Sequence, residues 1–137
     1  MLSFVDTNVF VYYFEGSDAA MQAKANQLLT LLRIADTVIS TQVLVEFGNV
    51  MRRYRVPVQD IELGLRQLTR YNVRTHEPDM ILRANLLCAK HQLSWFDALI
   101  VQSALDAGCG QLFSQDLSAG QQFSGSKGVL TVINPFA

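Results

Sequence analysis

The chain has 137 residues, half of them hydrophobic, and a formal net charge of −1. That length and composition are those of a globular domain with a sizeable core, which excludes a disordered chain. The near-neutral charge excludes a protein that binds polyanions over its whole surface, so any nucleic-acid contact must be local. Cys88 and Cys109 have neither metal-ligand spacing nor the pattern of a disulfide framework. They read as reduced thiols packed as small apolar groups. No apolar run reaches the ~20 residues that a membrane span needs. No basic region precedes the apolar start as it does in a signal peptide. A single domain over residues 1–137, cytoplasmic and away from membranes, is the expectation.

In chain order, residues 2–6 read as a buried strand, Leu2-Ser3-Phe4-Val5-Asp6. A short helix follows over about 8–15, and Gly16-Ser17-Asp18 stops it and can cap the next. The apolar stripe of Ala20, Ala23, Leu28, Leu31 and Leu32 predicts a helix over about 19–35. Thr37–Ser40 reads as strand two, and 41–54 as a helix with Val43, Leu44, Phe47, Val50 and Met51 facing inward. Pro57 restarts the chain into a helix over 58–70, and residues 72–75 form a short strand. Pro78 opens a fifth helix that runs to His91, in the first turn where proline is tolerated. Ser94 opens a sixth, which Gly108 and Gly110 end; residues 111–114 and 129–133 are the last strands. Strands alternating with helices predict an α/β/α fold, a central, mostly parallel twisted sheet with helices on both faces. Ligands of such sheets bind outside the carboxyl ends of the strands.

Four carboxylates fall where the chain turns: Asp6, Glu46, Asp97 and Asp116. Asp6 and Asp116 follow strands, and Glu46 and Asp97 lie early in apolar helices. With parallel strands, all four share one edge of the sheet. Carboxylates so crowded repel one another unless a hard divalent cation binds between them. Each has an ordinary alternative. Asp6 can be a helix cap, Glu46 a solvated helix residue and Asp116 a turn residue. Ser94-x-x-Asp97 matches a capping box. Their convergence on one edge favours a site over four coincidences. His76 and His91 are not spaced as metal ligands, and His91 reads as a surface residue at a helix end. Tyr12, Tyr13 and Phe14 read as core and rim. The arginine-rich stretch with Arg52, Arg53 and Arg55 is either a solvated face or a surface for phosphate or an acidic partner.

These residues resemble a known family. Asp6-Thr7-Asn8 after an N-terminal strand resembles the opening motif of PIN domains, Val45-Glu46-Phe47 their second, and Trp95-Phe96-Asp97-Ala98-Leu99-Ile100-Val101 their third. Phe113-Ser114-Gln115-Asp116-Leu117, Gly120 and Asn134-Pro135-Phe136 look like the fourth motif and tail of VapC-type toxins. Members often carry Thr where Ser114 stands, and Phe-Trp-Asp where this chain has Trp95-Phe96-Asp97. The resemblance implies an endoribonuclease dependent on Mg²⁺ or Mn²⁺, a homodimer, and a small VapB-like antitoxin as partner. Asp6, Glu46, Asp97 and Asp116 carry over as its acidic quartet. Oxygen-only ligands select hard cations over zinc. Asp6 and Asp97 are the direct ligands by this reading, with Glu46 and Asp116 acting through water or on a second ion. Thr7, Asn8 and Ser114 orient the carboxylates, and Arg52, Arg53 and Arg55 are candidates for RNA contact. An antitoxin arginine suits the acidic crevice, with apolar cover near Tyr12, Phe14 and Phe47. A dehalogenase-type phosphatase needs a second acid where Asn8 stands, and a receiver domain needs paired acids near Asp6 and a strand-end lysine. A non-catalytic PIN-like module that binds protein or RNA is the alternative.

Overall fold

In the computed structural model, which describes residues 1–137, the chain begins with β1 (Ser3–Val5), α1 (Thr7–Glu15) and α2 (Ala19–Leu31). A 3₁₀ turn (Ile34–Asp36), β2 (Thr37–Ser40), α3 (Thr41–Arg53), α4 (Val58–Leu68) and β3 (Asn72–Arg74) come next. It ends with α5 (Pro78–His91), α6 (Trp95–Asp106), β4 (Gln111–Phe113), β5 (Gln122–Gly125) and β6 (Gly128–Ile133). The sheet order is β3-β2-β1-β4-β6-β5. Pairings are parallel except between β5 and β6. The chain starts mid-sheet, builds to the β3 edge, then crosses back to lay β4 beside β1. The strand order therefore reverses between β1 and β4, the position where open α/β sheets leave a crevice for ligands.

Burial follows the short apolar runs. Phe4, Val5, Val38, Ile39, Leu112 and Val132 are buried on the sheet, as strands covered on both faces require. In α6 every residue from Ala98 to Leu105 is buried, and the helix packs against α5 and against β2, β5 and β6. α1 packs on α2 and α3, and α3 on α4. The three-layer α/β/α architecture expected from the alternation is present.

Two differences stand out. The second helix ends at Leu31, because Leu32 and Arg33 are extended before the 3₁₀ turn. Only Ala25 of that helix is buried, so little packing supports a longer one. The register Ser3↔Thr37 also needs extended chain on the way into β2. The other difference is β5, which the sequence hides. It has a single buried apolar residue, Phe123, among glutamine, serine and glycine. Its antiparallel pairing through Ser126-Lys127 makes it an edge strand held by β6.

Packing beneath α3 gives a first prediction. A Cβ on Gly64 would lie 2.9 Å from Cζ of Phe47, which is itself fully buried and packed edge-on by Phe14 at 5.4 Å. Overpacking costs typically 1–3 kcal/mol, partly offset by roughly 1 kcal/mol of helix propensity. Gly64→Ala is expected to destabilise the fold by about 1–2 kcal/mol, read as a lowered midpoint in urea unfolding.

Candidate functional site

Asp6 and Ser114 meet because of strand register. Val5 pairs with Phe113, so the next residues along β1 and β4 leave the sheet side by side. The Asp6 amide still donates to the Phe113 carbonyl at 3.0 Å, and the Ser114 amide to the Ile133 carbonyl at 3.0 Å. Asp6 caps α1, its Oδ1 accepting from the Thr7 amide at 2.7 Å. That accounts for one oxygen only. Oδ2 accepts from the Ser114 hydroxyl at 2.8 Å. Asp6 is 5% exposed and Ser114 fully buried, so this carboxylate has been taken almost wholly out of water.

The next three acids surround that pair. Glu46 lies in the second turn of α3, half-buried. Its Oε2 accepts from the Thr7 hydroxyl at 3.0 Å and its Oε1 from Gln42 Nε2 at 2.6 Å, one helical turn back. The same Gln42 nitrogen donates to the Phe96 carbonyl at 3.1 Å, tying α3 to the start of α6. Asp116 turns back from β4, its amide donating to Ser114 Oγ at 3.2 Å and its Oδ2 accepting from Asn8 Nδ2 at 3.1 Å. Thr7, Asn8 and Ser114 thus each hold a different acid. Asp97 resolves its own ambiguity. Ser94 caps α6 by accepting from the Asp97 amide at 3.2 Å, while no hydrogen bond engages the Asp97 carboxylate. A crevice of about 520 Å³ is lined by Asp6, Thr7, Glu46 and Asp116 together with Asn49 and Arg53. Asp97 follows Phe96, another lining residue, and its charge is felt at Asp116.

The family model described as PIN domain matches residues 3–119. The chain belongs to the PIN domain family. No curated protein sequence matches it, but solved structures do. One is a toxin–antitoxin complex from Klebsiella pneumoniae, with 21% identity, 97% of each chain covered and a TM-score of 0.72. Another is VapC20 of Mycobacterium tuberculosis, described as a sarcin–ricin loop cleaving toxin. It shows 21% identity over 83% of this chain and 91% of that one, with a TM-score of 0.70. FitAcB from Neisseria gonorrhoeae shows 16% identity over 98% and 99% of the two chains, with a TM-score of 0.68.

Crowding shapes the electrostatics of this PIN domain. Burial, aided by the charges of Glu46 and Asp116, pushes the Asp6 carboxyl up to about 6, against the bonds from Thr7 and Ser114. Asp116 is also raised, by desolvation first and then by the charge of Asp97. The donor set is oxygen only, which suits a hard divalent cation, and the raised acids are those that a cation would return to their ionised form. As they stand, no three acidic, histidine or cysteine side chains converge tightly enough to hold an ion. Glu46 is bonded to Thr7 and Gln42, and Asp116 to Asn8. No helix is long and apolar enough to cross a membrane.

Several residues at the site were not picked out from the sequence, Gln42 through its bond to Glu46 and the others as lining. Gln42 and Asn49 flank Glu46 by one turn on either side, and helical phase alone could have found them. Val45 and Phe96 also line the crevice. Of the arginine run, Arg53 lines it while Arg52 and Arg55 do not. His76 stands close enough for the Glu46 charge to act on it, although desolvation is the stronger influence and lowers its pKa. Its Nε2 is buried without a partner, as are Ser40 Oγ and Gln42 Oε1. His91 packs edge-on against Phe123 at 4.9 Å. Phe47, expected near a partner surface, is fully buried because Gly64 leaves room for its ring.

Proposed function

We propose that this protein is a cytoplasmic endoribonuclease that hydrolyses RNA phosphodiester bonds with Mg²⁺ or Mn²⁺, and a toxin neutralised by a cognate VapB-like antitoxin. The observation that carries this reading is the crevice between β1 and β4. It holds a carboxylate removed from water, Asp6, beside Glu46 and Asp116, and the charge of Asp97, next to lining Phe96, acts on Asp116. The toxins among the structural neighbours support it. By this reading Asp6 and Asp97 bind the cation directly, and Glu46 and Asp116 act through water or on a second ion. A bound divalent cation supplies Lewis-acid stabilisation of charge on the phosphoryl group and lowers the pKa of water.

The chain's own residues set the stage. Ser114 fixes Asp6, Thr7 and Gln42 fix Glu46, and Asn8 fixes Asp116, so the carboxylates are oriented before substrate arrives. Purified chain incubated with total cellular RNA is expected to cut it in Mg²⁺ or Mn²⁺ and to stop in excess EDTA. Intact RNA under both conditions would instead support the non-catalytic module. Ser114→Ala removes the hydroxyl shared by Asp6 and Asp116. It is expected to weaken Mn²⁺ binding by about 10–100-fold, as read by calorimetric titration.

The antitoxin has two surfaces to use. The acidic crevice accepts an arginine in place of the cation. A groove of about 200 Å³ bordered by Phe10, Tyr13, Phe14, Leu29, Leu68 and Tyr71 offers apolar cover. A homodimer, also implied by the resemblance, has exposed Leu82 and Leu86 one turn apart on α5 to draw on. Light scattering on the full chain tests it.

A further inference from the structure

β4 lies between β1 and β6, and Phe113 pairs with Ile133 in parallel. Residues 114–117 after β4 and 134–137 after β6 therefore leave the sheet side by side, next to α1, which follows β1. Asp116 is exposed in the first of these segments, between half-buried Gln115 and buried Leu117. Its carboxylate is held by Asn8 through a bond that lies in solvent. A bond so exposed competes with water and adds little order of its own. The loop has a steadier anchor one residue earlier.

That anchor is Tyr12, four residues after Asn8 and on the same face of α1. Its hydroxyl donates to Gln115 Oε1 at 3.1 Å, in a half-buried setting. α1 thus grips two consecutive residues, Gln115 and Asp116, with side chains one turn apart. The Tyr12 ring is itself packed edge-on by Phe136, with ring centroids 4.9 Å apart. Phe136 is buried. Its amide donates to Asn134 Oδ1 at 2.9 Å, and its carbonyl accepts from Lys24 Nζ at 3.1 Å. A segment with neither helix nor strand is so fixed at three points: on itself, on α2 and on the Tyr12 ring. None of this touches the crevice, which neither Tyr12, Gln115 nor Phe136 lines.

We propose that residues 134–137 act on the crevice from outside it. Phe136 sets the Tyr12 ring, the Tyr12 hydroxyl holds Gln115, and the loop so held keeps Asp116 beside Asn8. Tyr12, Gln115 and Phe136 are then positioning residues, acting through Asp116 and touching no reacting group. The bearing on cation binding rests on the ribonuclease reading, and the positioning itself does not. The phenol is the group that this geometry uses. A phenylalanine would fill the same space and pack on Phe136 but could not hold Gln115. One half-buried hydrogen bond between neutral groups is worth about two- to tenfold in the population of the held loop. An effect of that size is expected on cation affinity, since Asp116 contributes to it.

Nuclear magnetic resonance of the whole chain without metal reads the first effect, through the side-chain amide protons of Asn8 that Asp116 engages. In Tyr12→Phe these signals are expected to move toward those of a free carboxamide. Calorimetric titration with Mn²⁺ reads the second, with an expected loss of about two- to tenfold in affinity. Gln115→Leu is expected to do the same, and the double variant no more than either alone. Phe136→Ala is expected to act in the same direction and to add nothing to Tyr12→Phe. Phe136→Leu, which keeps apolar volume without the ring edge, takes its place if the alanine variant does not fold. Where wild type binds Mn²⁺, unchanged affinity in Tyr12→Phe overturns the proposal. So do unchanged Asn8 signals, effects that multiply in the double variant, or Phe136 variants without effect. A wild type that neither binds Mn²⁺ nor cuts RNA, with Asn8 signals that still follow Tyr12 and Phe136, overturns the ribonuclease reading alone.

Discussion

Asp6→Asn is expected to lower RNA cleavage by at least about a thousandfold while leaving the protein folded and, without metal, more stable. Lewis-acid stabilisation of a phosphoryl transition state is worth several kcal/mol, and each 1.36 kcal/mol is about a tenfold in rate. In the proposed role of Asp6 as a direct cation ligand, the substitution removes most of that stabilisation. The fold tolerates the change for local reasons. Asparagine is as good a helix cap as aspartate, and the Ser114 hydroxyl can turn to accept from the new amide instead of donating to Oδ2. Burying a neutral amide removes a charge that desolvation, Glu46 and Asp116 all disfavour. Loss of cleavage with a lower melting temperature would mean that Asp6 matters only as a cap. Full cleavage by the variant would remove Asp6 from the chemistry.

Stability should also depend on pH with a sign opposite to that of an ordinary paired carboxylate. Burial pushes the Asp6 pKa up to about 6 in the folded chain, against 3.8 for an aspartate in water. Between those values the folded state holds a proton that the unfolded state has released, so stability falls as pH rises through the window. With Asp6 5% exposed, the loss is of the order of 3 kcal/mol by pH 7. Asp106 works in the other direction, since bonds from Arg83 and Gln102 overcome its desolvation and lower its pKa. The difference between wild type and Asp6→Asn isolates the Asp6 contribution. In EDTA, urea unfolding free energies of the two are expected to converge near pH 4 and to separate, in favour of the variant, by pH 7. Saturating Mg²⁺ is expected to reverse the order at pH 7, because the cation stabilises the ionised carboxylate and so the wild type. Parallel pH profiles in EDTA would mean that Asp6 is not perturbed by its neighbours.

Much of this was legible in the chain. The strands ending at Asp6 and near Ser114 are short apolar runs, and the helices between them force parallel pairing. Those features alone put Asp6 and Asp116 at one edge of the sheet. The roles of single side chains were less legible. Whether Asp97 closes its own cap depends on a return bond, and only the side-chain geometry shows that Ser94 caps without it. The strand Gln122–Gly125 is nearly all polar because it lies at an edge, where one buried residue, Phe123, suffices. The arginine run could not be divided from composition, although the helical phase from Glu46 singles out Arg53. Phe96 stayed hidden because its neighbours in the chain make α6 look apolar on all sides, and exposure at a helix start is set by what lies opposite.

The divalent cation site proposed at the crevice between β1 and β4 draws on Asp6, Glu46 and Asp116 and on the neighbouring Asp97. Electron paramagnetic resonance of Mn²⁺ titrated into the purified chain tests it most directly, because free Mn²⁺ gives the signal and bound Mn²⁺ loses it. The prediction is that wild type removes at least one equivalent of free Mn²⁺ per chain, with Asp97→Asn binding at least about tenfold more weakly. A wild-type chain that leaves the Mn²⁺ signal unchanged, or an Asp97→Asn variant that binds as tightly as wild type, would contradict it.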